Sequence, residues 1–407
     1  MRYLMKKEGK MNKIVSTTVA FTIMLALILT ASALAAPQSI PNGPWIEPNQ
    51  EVQLNALMSN EELEKTLYQI EGRAKGRMTV EVSGYSTTGL PIFLVKFGEA
   101  DPSKMRVLIE GQIHGGEPLG AEASVELIKQ LAASGNKDID MILNELSIWI
   151  VPRLNVEGAA YEVDGKLVQR RQNSQTWTPG EWGLPSTAPA PWYYRSTPPP
   201  GYDINRDSNP DLNFVLSPAN AALLPGASAL PGFFVTPEAR MMRNIYLEFQ
   251  PDVFIDLHHR GTNLISAEDN SMCTLQIVAQ VVRLGRTDYP LDPAVLAFSK
   301  QINAYVYLKL QEMGNSPFTG IQRYPDIDLP GTTLGSFTLN GSAIMLYEVR
   351  TARQKSNGML TRQEIMGLMA TLKGLADGSV DDVDPAIYDA IPPAGPSIGN
   401  PNLFDEF

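Results

Sequence analysis

The apolar positions of this chain change spacing along its length. Leu63, Leu67 and Ile70 recur at helical intervals behind Ser59-Asn60-Glu61-Glu62, a capping box, and predict a helix over residues 60–73. Two strand-like segments, 78–82 and 91–97, are joined through the turn region around Gly84 and Gly89. Four later runs, 106–113, 147–151, 252–257 and 343–347, are short and almost continuously apolar, as strands buried on both faces are. Helical patterns over 120–133, 237–249 and about 293–313 lie between them. A last helix is predicted to begin at the second capping box, Thr361-Arg362-Gln363-Glu364, with Ile365, Leu368, Met369 and Leu372 along one face. Strands alternating with helices predict an α/β layer fold.

Two stretches carry neither period. Residues 172–203 hold seven prolines together with Trp177, Trp182, Trp192, Tyr193 and Tyr194, and residues 207–236 are rich in Pro and Gly. Loops of this length inside a domain are usually functional or mobile. The ends differ from the middle. Lys6, Lys7, Lys10 and Lys13 precede an apolar run that closes on Ala33-Leu34-Ala35-Ala36, the order of a secretory signal peptide cleaved near Ala35 or Ala36. The expected organisation is a signal peptide over 1–36, a Pro- and Asn-rich linker over 37–58, one catalytic domain over 59–376, and a loosely packed acidic, Pro-rich tail over 377–407. The chain is thus expected to be secreted or extracytoplasmic, with no stable membrane insertion after cleavage.

Composition narrows the function. Of 407 residues, 43% are hydrophobic and 19% charged, an ordinary globular balance. A net charge of −11 gives no electrostatic support for nucleic-acid binding. The single cysteine, Cys273, forms no internal disulfide and reads as a small buried apolar residue.

The three histidines are the informative residues. His114, His258 and His259 follow directly on predicted central strands, where ligands bind in open α/β sheets. His114-Gly115-Gly116-Glu117 is an H-x-x-E spacing, and on a tight turn residues three apart point at one centre. Imidazole nitrogen and carboxylate oxygen are both zinc ligands at about 2.0–2.2 Å. A third ligand comes from far along the chain, from His258 or its neighbour His259. Two His and one Glu leave a coordination position open, the pattern of catalytic zinc. Glu348 ends the last apolar run, and a carboxylate in such surroundings is costly unless paired or used.

The order of six segments resembles the zinc carboxypeptidase family over residues 58–375. They are Ile113-His114-Gly115-Gly116-Glu117-Pro118, Asn155-Val156-Glu157-Gly158, Arg170-Arg171-Gln172-Asn173, Gly201-Tyr202-Asp203-Ile204-Asn205-Arg206, Phe254-Ile255-Asp256-Leu257-His258 and Leu346-Tyr347-Glu348. Each is short, and the shared order carries the resemblance. It implies a mixed, mostly parallel central sheet of about eight strands with helices on both faces. It implies one Zn2+ on His114, Glu117 and His258, with Glu348 as general base to a zinc-activated water. Arg171, or Arg170 in its place, matches the arginine at the oxyanion. Asn205 and Arg206 match the pair that grips a substrate's terminal carboxylate, Asp203 the carboxylate behind the first zinc histidine, and Tyr324 a loop tyrosine that closes over substrate. His259 stands behind the ligands or competes with His258. Asp207, where many relatives have Asn, puts an acid beside the clamp.

The implied function is that of a bacterial secreted metallocarboxypeptidase, a monomer acting on peptide or protein C-termini. Three rival readings share the sequence: a zinc amidase or endopeptidase on cell-wall peptides, a deacylase, and an inactive relative that binds peptide or glycan. The preferred C-terminal residue depends on the segment between Tyr324 and Ala343, where Asp326, Asp328, Thr332, Thr333 and Ser336 are candidates. An acid in the pocket favours Lys or Arg; an apolar pocket favours large apolar residues.

Overall fold

The computed structural model describes residues 54–397 apart from 134, 262, 269–271, 315–316 and 351–356. The signal-peptide segment, most of the linker, the last residues of the tail and Arg353 lie outside the described residues.

The first capping box forms as read. Ser59 Oγ accepts from the Glu62 N–H at 3.1 Å, Glu62 returns the bond to the Ser59 N–H, and α1 runs Asn60–Arg73. The hairpin β1 (Thr79–Tyr85) and β2 (Pro91–Phe97) leads into β3 (Met105–Gly111), α2 (Leu119–Ala132), α3 (Lys137–Glu145) and β4 (Leu146–Val151). After the long irregular stretch come α4 (Pro237–Phe249), β5 (Val253–Arg260), β6 (Leu275–Val278), α5 (Pro293–Gln311), β7 (Ile321–Arg323), α6 (Thr333–Leu339), β8 (Ala343–Arg350), α7 (Asn357–Asp377) and α8 (Ala386–Ala390). The sheet has eight strands in the order β1-β2-β4-β3-β5-β8-β6-β7. Its centre, β4, β3, β5 and β8, is parallel; β1, β2 and β6 supply the antiparallel contacts.

The period of two along the central strands divides the core. Val253, Ile255 and Leu257 of β5, with Met345 and Tyr347 of β8, face a cluster with α2, α5 and α7. Phe254, Ile344 and Leu346 face the opposite cluster, with Met242 and Phe249 of α4 and Phe337 of α6. Asp256, His258 and Glu348 share the parity of this second face, so one side of the sheet turns from apolar to acidic and basic toward its C-terminal end.

Two expectations are corrected. Thr361 does not start a helix, because α7 already begins at Asn357. Leu360 is fully buried one residue before it, and Gln363 turns inward to donate to Thr274 Oγ1 at 3.0 Å and to the Phe318 carbonyl. The described part of the tail does not pack loosely. Val380, Tyr388 and Ile391 belong to the core, and the Tyr388 hydroxyl accepts from the Ala279 N–H. Beyond them the chain forms a strap. The Pro392 carbonyl accepts from the Arg323 N–H at 2.7 Å, Pro396 O from the Leu264 N–H, and Gly395 O from Asn263 Nδ2. Short elements without a strong period, α3, β6, β7 and α6, have no counterpart in the sequence reading. Among the described residues no helix is long and apolar enough to cross a membrane.

Candidate active site

β3 delivers His114 through a strained corner. Gln112 has a φ of 55°, in the left-handed region that non-glycine residues seldom adopt. Its side chain holds that geometry, with Nε2 donating to the Gly115 carbonyl at 2.8 Å and Oε1 accepting from Arg153 Nε at 2.7 Å. The turn then passes so close to the Asn155–Gly158 segment that a Cβ on Gly115 would lie 2.2 Å from the Gly158 carbonyl carbon. Glycine is therefore required between the two ligands. Asn155 ties in the next part: its Nδ2 donates to the Arg171 carbonyl at 2.9 Å.

His114, Glu117 and His258 converge, with ligand atoms all within 4.8 Å of one another. Both imidazoles turn Nδ1 inward, 2.8 Å from Glu117 Oε1 for His114 and 2.9 Å from Oε2 for His258. Each outer Nε2 faces a carboxylate: Asp203 Oδ1 at 3.3 Å behind His114, Asp256 Oδ2 at 2.8 Å behind His258. Such partners fix which ring nitrogen is free to bind a metal. Two Nδ1 atoms and a carboxylate, each imidazole held from behind, fit one zinc ion with a position left open. Burial raises the Glu117 carboxyl, but the two histidines outweigh it and hold the group well below the usual carboxylate range. Burial lowers His258, yet Asp256 and Glu117 raise it well above its ordinary value. The centre is thus a place that demands positive charge.

His259 is not a ligand. It alternates to the other face of β5, where its Nε2 accepts from the Leu119 N–H at 2.9 Å, and burial drops its pKa to about 4. Its backbone N–H donates to Glu117 Oε2 at 3.1 Å, which steadies the glutamate. Sequence reading missed Asp256 in its supporting role, although it stands two residues before His258 on the same strand face. It missed Glu110 as well, opposite Asp256 in the β3–β5 register. Burial and Asp256 raise the Glu110 carboxyl well above its usual value, against the pull of His258.

A cavity of about 1020 Å³ opens over this centre. Arg171, Asn205, Arg206, Tyr324 and Glu348 all border it. Arg171 donates from Nε to Asp203 Oδ2 at 2.9 Å and brings Nη1 to 3.2 Å from His114 Nδ1. Arg170 turns away, stacked over Tyr161 and donating to the carbonyls of Pro199 and Asn173. Glu348 stands opposite His258 in the β5–β8 register. Burial is the main cause that pushes its carboxyl up to about 8, against the pull of His258. Tyr324 lies over Arg260, 4.6 Å from the guanidinium carbon to the ring centre. Asn205 Oδ1 accepts from the Thr333 N–H at 3.2 Å, and its Nδ2 is 3.3 Å from His258 Nε2.

Asp207 does not turn toward the cavity as its position beside Arg206 suggested. It is fully buried and points away, accepting from Tyr193 Oη, the Val235 and Thr236 N–H groups and Thr236 Oγ1. It organises the aromatic insert, whose Tyr193, Tyr202, Phe233 and Val235 form a small core of their own. Trp192, Tyr194 and Arg195 of that insert border the cavity. The acid candidates for the pocket are also displaced. Asp326 has a side chain 97% exposed, and Asp328 pairs with Arg286 at 3.1 Å. Thr333 and Ser336 do not border the cavity, whereas Thr332 does.

The fold and the histidine–glutamate triad define a metallopeptidase-like centre on an α/β sheet. The family model described as "Zinc carboxypeptidase" matches residues 63–316, and the chain belongs to that family. It is 29% identical over 161 residues to Carboxypeptidase E of Caenorhabditis elegans, covering 38% of this chain and 30% of the relative. The chain thus spans less than a third of that relative's length. Among solved structures it resembles carboxypeptidase A from Helicoverpa armigera, at 16% identity and a TM-score of 0.57 over 88% of this chain and 82% of that one. A metallo-carboxypeptidase from Burkholderia cenocepacia is similar at 16% identity and a TM-score of 0.51, over 79% and 70% of the two chains. At these identities the likeness concerns the fold.

Proposed function

We propose that the protein is a zinc-dependent carboxypeptidase that removes residues from peptide C-termini. The observation that supports this most is the placing of Arg206, Arg171 and Glu348 around one cavity, directly over the His114, Glu117 and His258 triad. A zinc ion held by those three residues supplies Lewis-acid polarisation and lowers the pKa of water. In this reading Arg206, with Asn205, takes the terminal carboxylate in a forked pair of hydrogen bonds. Arg171 offers its guanidinium where negative charge develops on the scissile carbonyl oxygen. Glu348 takes the proton of the attacking water and returns it to the leaving amine. Tyr324, stacked on Arg260 at the cavity edge, covers the bound end.

A second reading, an amidase or endopeptidase on cell-wall peptides, draws support from Trp192 and Tyr194, aromatic residues that border the cavity. It needs no clamp on a terminal carboxylate. Export is part of the proposal, on the basic, apolar and small-residue order of residues 1–36. The direct test is release of the last residue from an N-acylated dipeptide. Loss of release with a chelator and recovery with zinc supports the reading; release untouched by metal removal contradicts it.

A further inference from the structure

The segment from Tyr324 to Leu334 joins the clamp to the sheet. Its Thr333 N–H donates to Asn205 Oδ1, and its Gly331 carbonyl accepts from the Ser208 N–H, two residues after Arg206. On its other side the Tyr324 N–H donates to the Ile277 carbonyl and the Leu329 N–H to the Val281 carbonyl. The wall of the cavity between Arg206 and β8 is therefore built from this segment, from the residues after β6 and from β8 itself. The side chains it contributes are Val281, Ile327, Leu329, Thr332, Leu334 and Leu346. Five are aliphatic. The hydroxyl of Thr332 is already engaged, donating to the Leu329 carbonyl and accepting from the Gly335 N–H, each at 2.9 Å.

Among the described residues this wall itself offers no acid to a basic guest. Among the described residues the acids bordering the cavity are Glu117, Asp203 and Glu348. Glu117 lies between the two ligand imidazoles and Asp203 pairs with Arg171; Glu348, with an unbonded Oε2 among the described residues, stands opposite His258 at the metal centre, where the proposed reaction uses it. Asp326 and Asp328, the acids nearest in sequence, are turned outward and toward Arg286. An ammonium or guanidinium placed against the aliphatic wall loses hydration without gaining a partner. A Leu, Met or Phe side chain there leaves water for matching apolar surface.

We propose that this wall selects an apolar side chain on the residue whose carboxylate Arg206 holds. The substrate class is peptides ending in Leu, Met or Phe, with Lys and Arg ends rejected. The inference rests on the carboxypeptidase reading, and its test separates the two. In zinc-loaded full-length protein carrying Glu348→Gln to stop turnover, calorimetry is run with N-acetyl-Ala-Phe, N-acetyl-Ala-Leu, N-acetyl-Ala-Lys and N-acetyl-Ala-Arg. The apolar ends are expected to bind ~10- to 100-fold more tightly, the range that burying one such side chain supports. Ile327→Asp, on a partly exposed loop, is expected to move the preference toward Lys and Arg; Leu329→Asp serves if that variant fails to fold. Lys and Arg ends bound as tightly as Phe and Leu by the parent protein overturn the apolar assignment and leave the carboxypeptidase reading standing. Absence of binding by all four peptides overturns both.

Discussion

His258 and Glu348 are cross-strand partners, paired directly in the parallel register of β5 and β8. Period-two alternation then puts both side chains on the face that carries Asp256, with His259 on the other. A zinc ligand and a carboxylate whose Oε2 has no hydrogen-bond partner among the described residues are thereby fixed to adjacent strands in the middle of a sheet.

The role of Glu348 is separable from that of the ligands. Glu348→Gln is expected to keep the metal and lower turnover by about 10²–10⁴, the range for a removed general base. The base works deprotonated, so activity should rise with pH through its titration. Burial sets that carboxyl near 8 without a metal, and a cation beside it lowers the value, so the rise should fall below pH 8. Metal content by mass spectrometry and a pH–rate profile check both parts; a near-normal rate in the variant assigns Glu348 to structure.

The carboxylates behind the imidazoles should govern metal affinity. Asp256→Asn and Asp203→Asn are each expected to weaken zinc binding about 10- to 100-fold, as loss of such partners does. Chelator competition measures it. Unchanged affinity in both variants means that the Nδ1 orientation is set by the backbone alone.

Glu238 offers a pH test of stability remote from the metal. It is fully buried in the first turn of α4, accepts from Asn173 Nδ2 at 3.2 Å, and has an Oε1 without a partner among the described residues. Burial pushes its pKa up to about 8. A carboxyl raised in the folded state leaves stability intact below the unfolded value, and its penalty grows from there until it is complete above about 8. Glu238→Gln removes the penalty, so it should stabilise by roughly 2–4 kcal/mol at pH 9 and hardly at all at pH 4.5. Denaturant titrations at the two pH values decide it, and an equal change at both contradicts the assignment.

The strap formed by residues 391–397 is expected to hold the mouth of the site, because Ser397 borders the cavity. A Cβ at Gly395 would lie 2.2 Å from the Leu264 carbonyl oxygen. Gly395→Val must therefore lift the strap. A several-fold rise in KM with unchanged zinc content is the expected result, and wild-type KM contradicts a role at the mouth.

Long periodic segments were legible in the sequence because burial dictates them. α1 and α4 have the predicted bounds, and the four apolar runs became β3, β4, β5 and β8. The metal ligands were legible because histidine is scarce and stands at strand ends. Less visible was what tertiary contact decides. Thr361 has the local grammar of a cap, but Leu360 was already committed to the core. Asp207 looked like a neighbour of Arg206, yet its carboxylate accepts from Tyr193 and from the Phe233–Thr236 segment instead. Asp256 had a signal, the parity it shares with His258. Asp326 and Asp328 gave no local sign that they would turn outward.

The most direct test of the account compares one peptide as its free acid and as its C-terminal amide, with zinc-loaded wild-type protein. The clamp reading predicts that the acid is cleaved and that the amide is cleaved at least ~10-fold more slowly, the lower range for one lost charge-assisted hydrogen bond. Arg206→Lys, which keeps the charge and loses the fork, should slow the acid and leave the amide unchanged. Equal cleavage of acid and amide by the wild type would contradict the central claim, because the terminal carboxylate is then not read, and the site belongs to an amidase or endopeptidase on this fold.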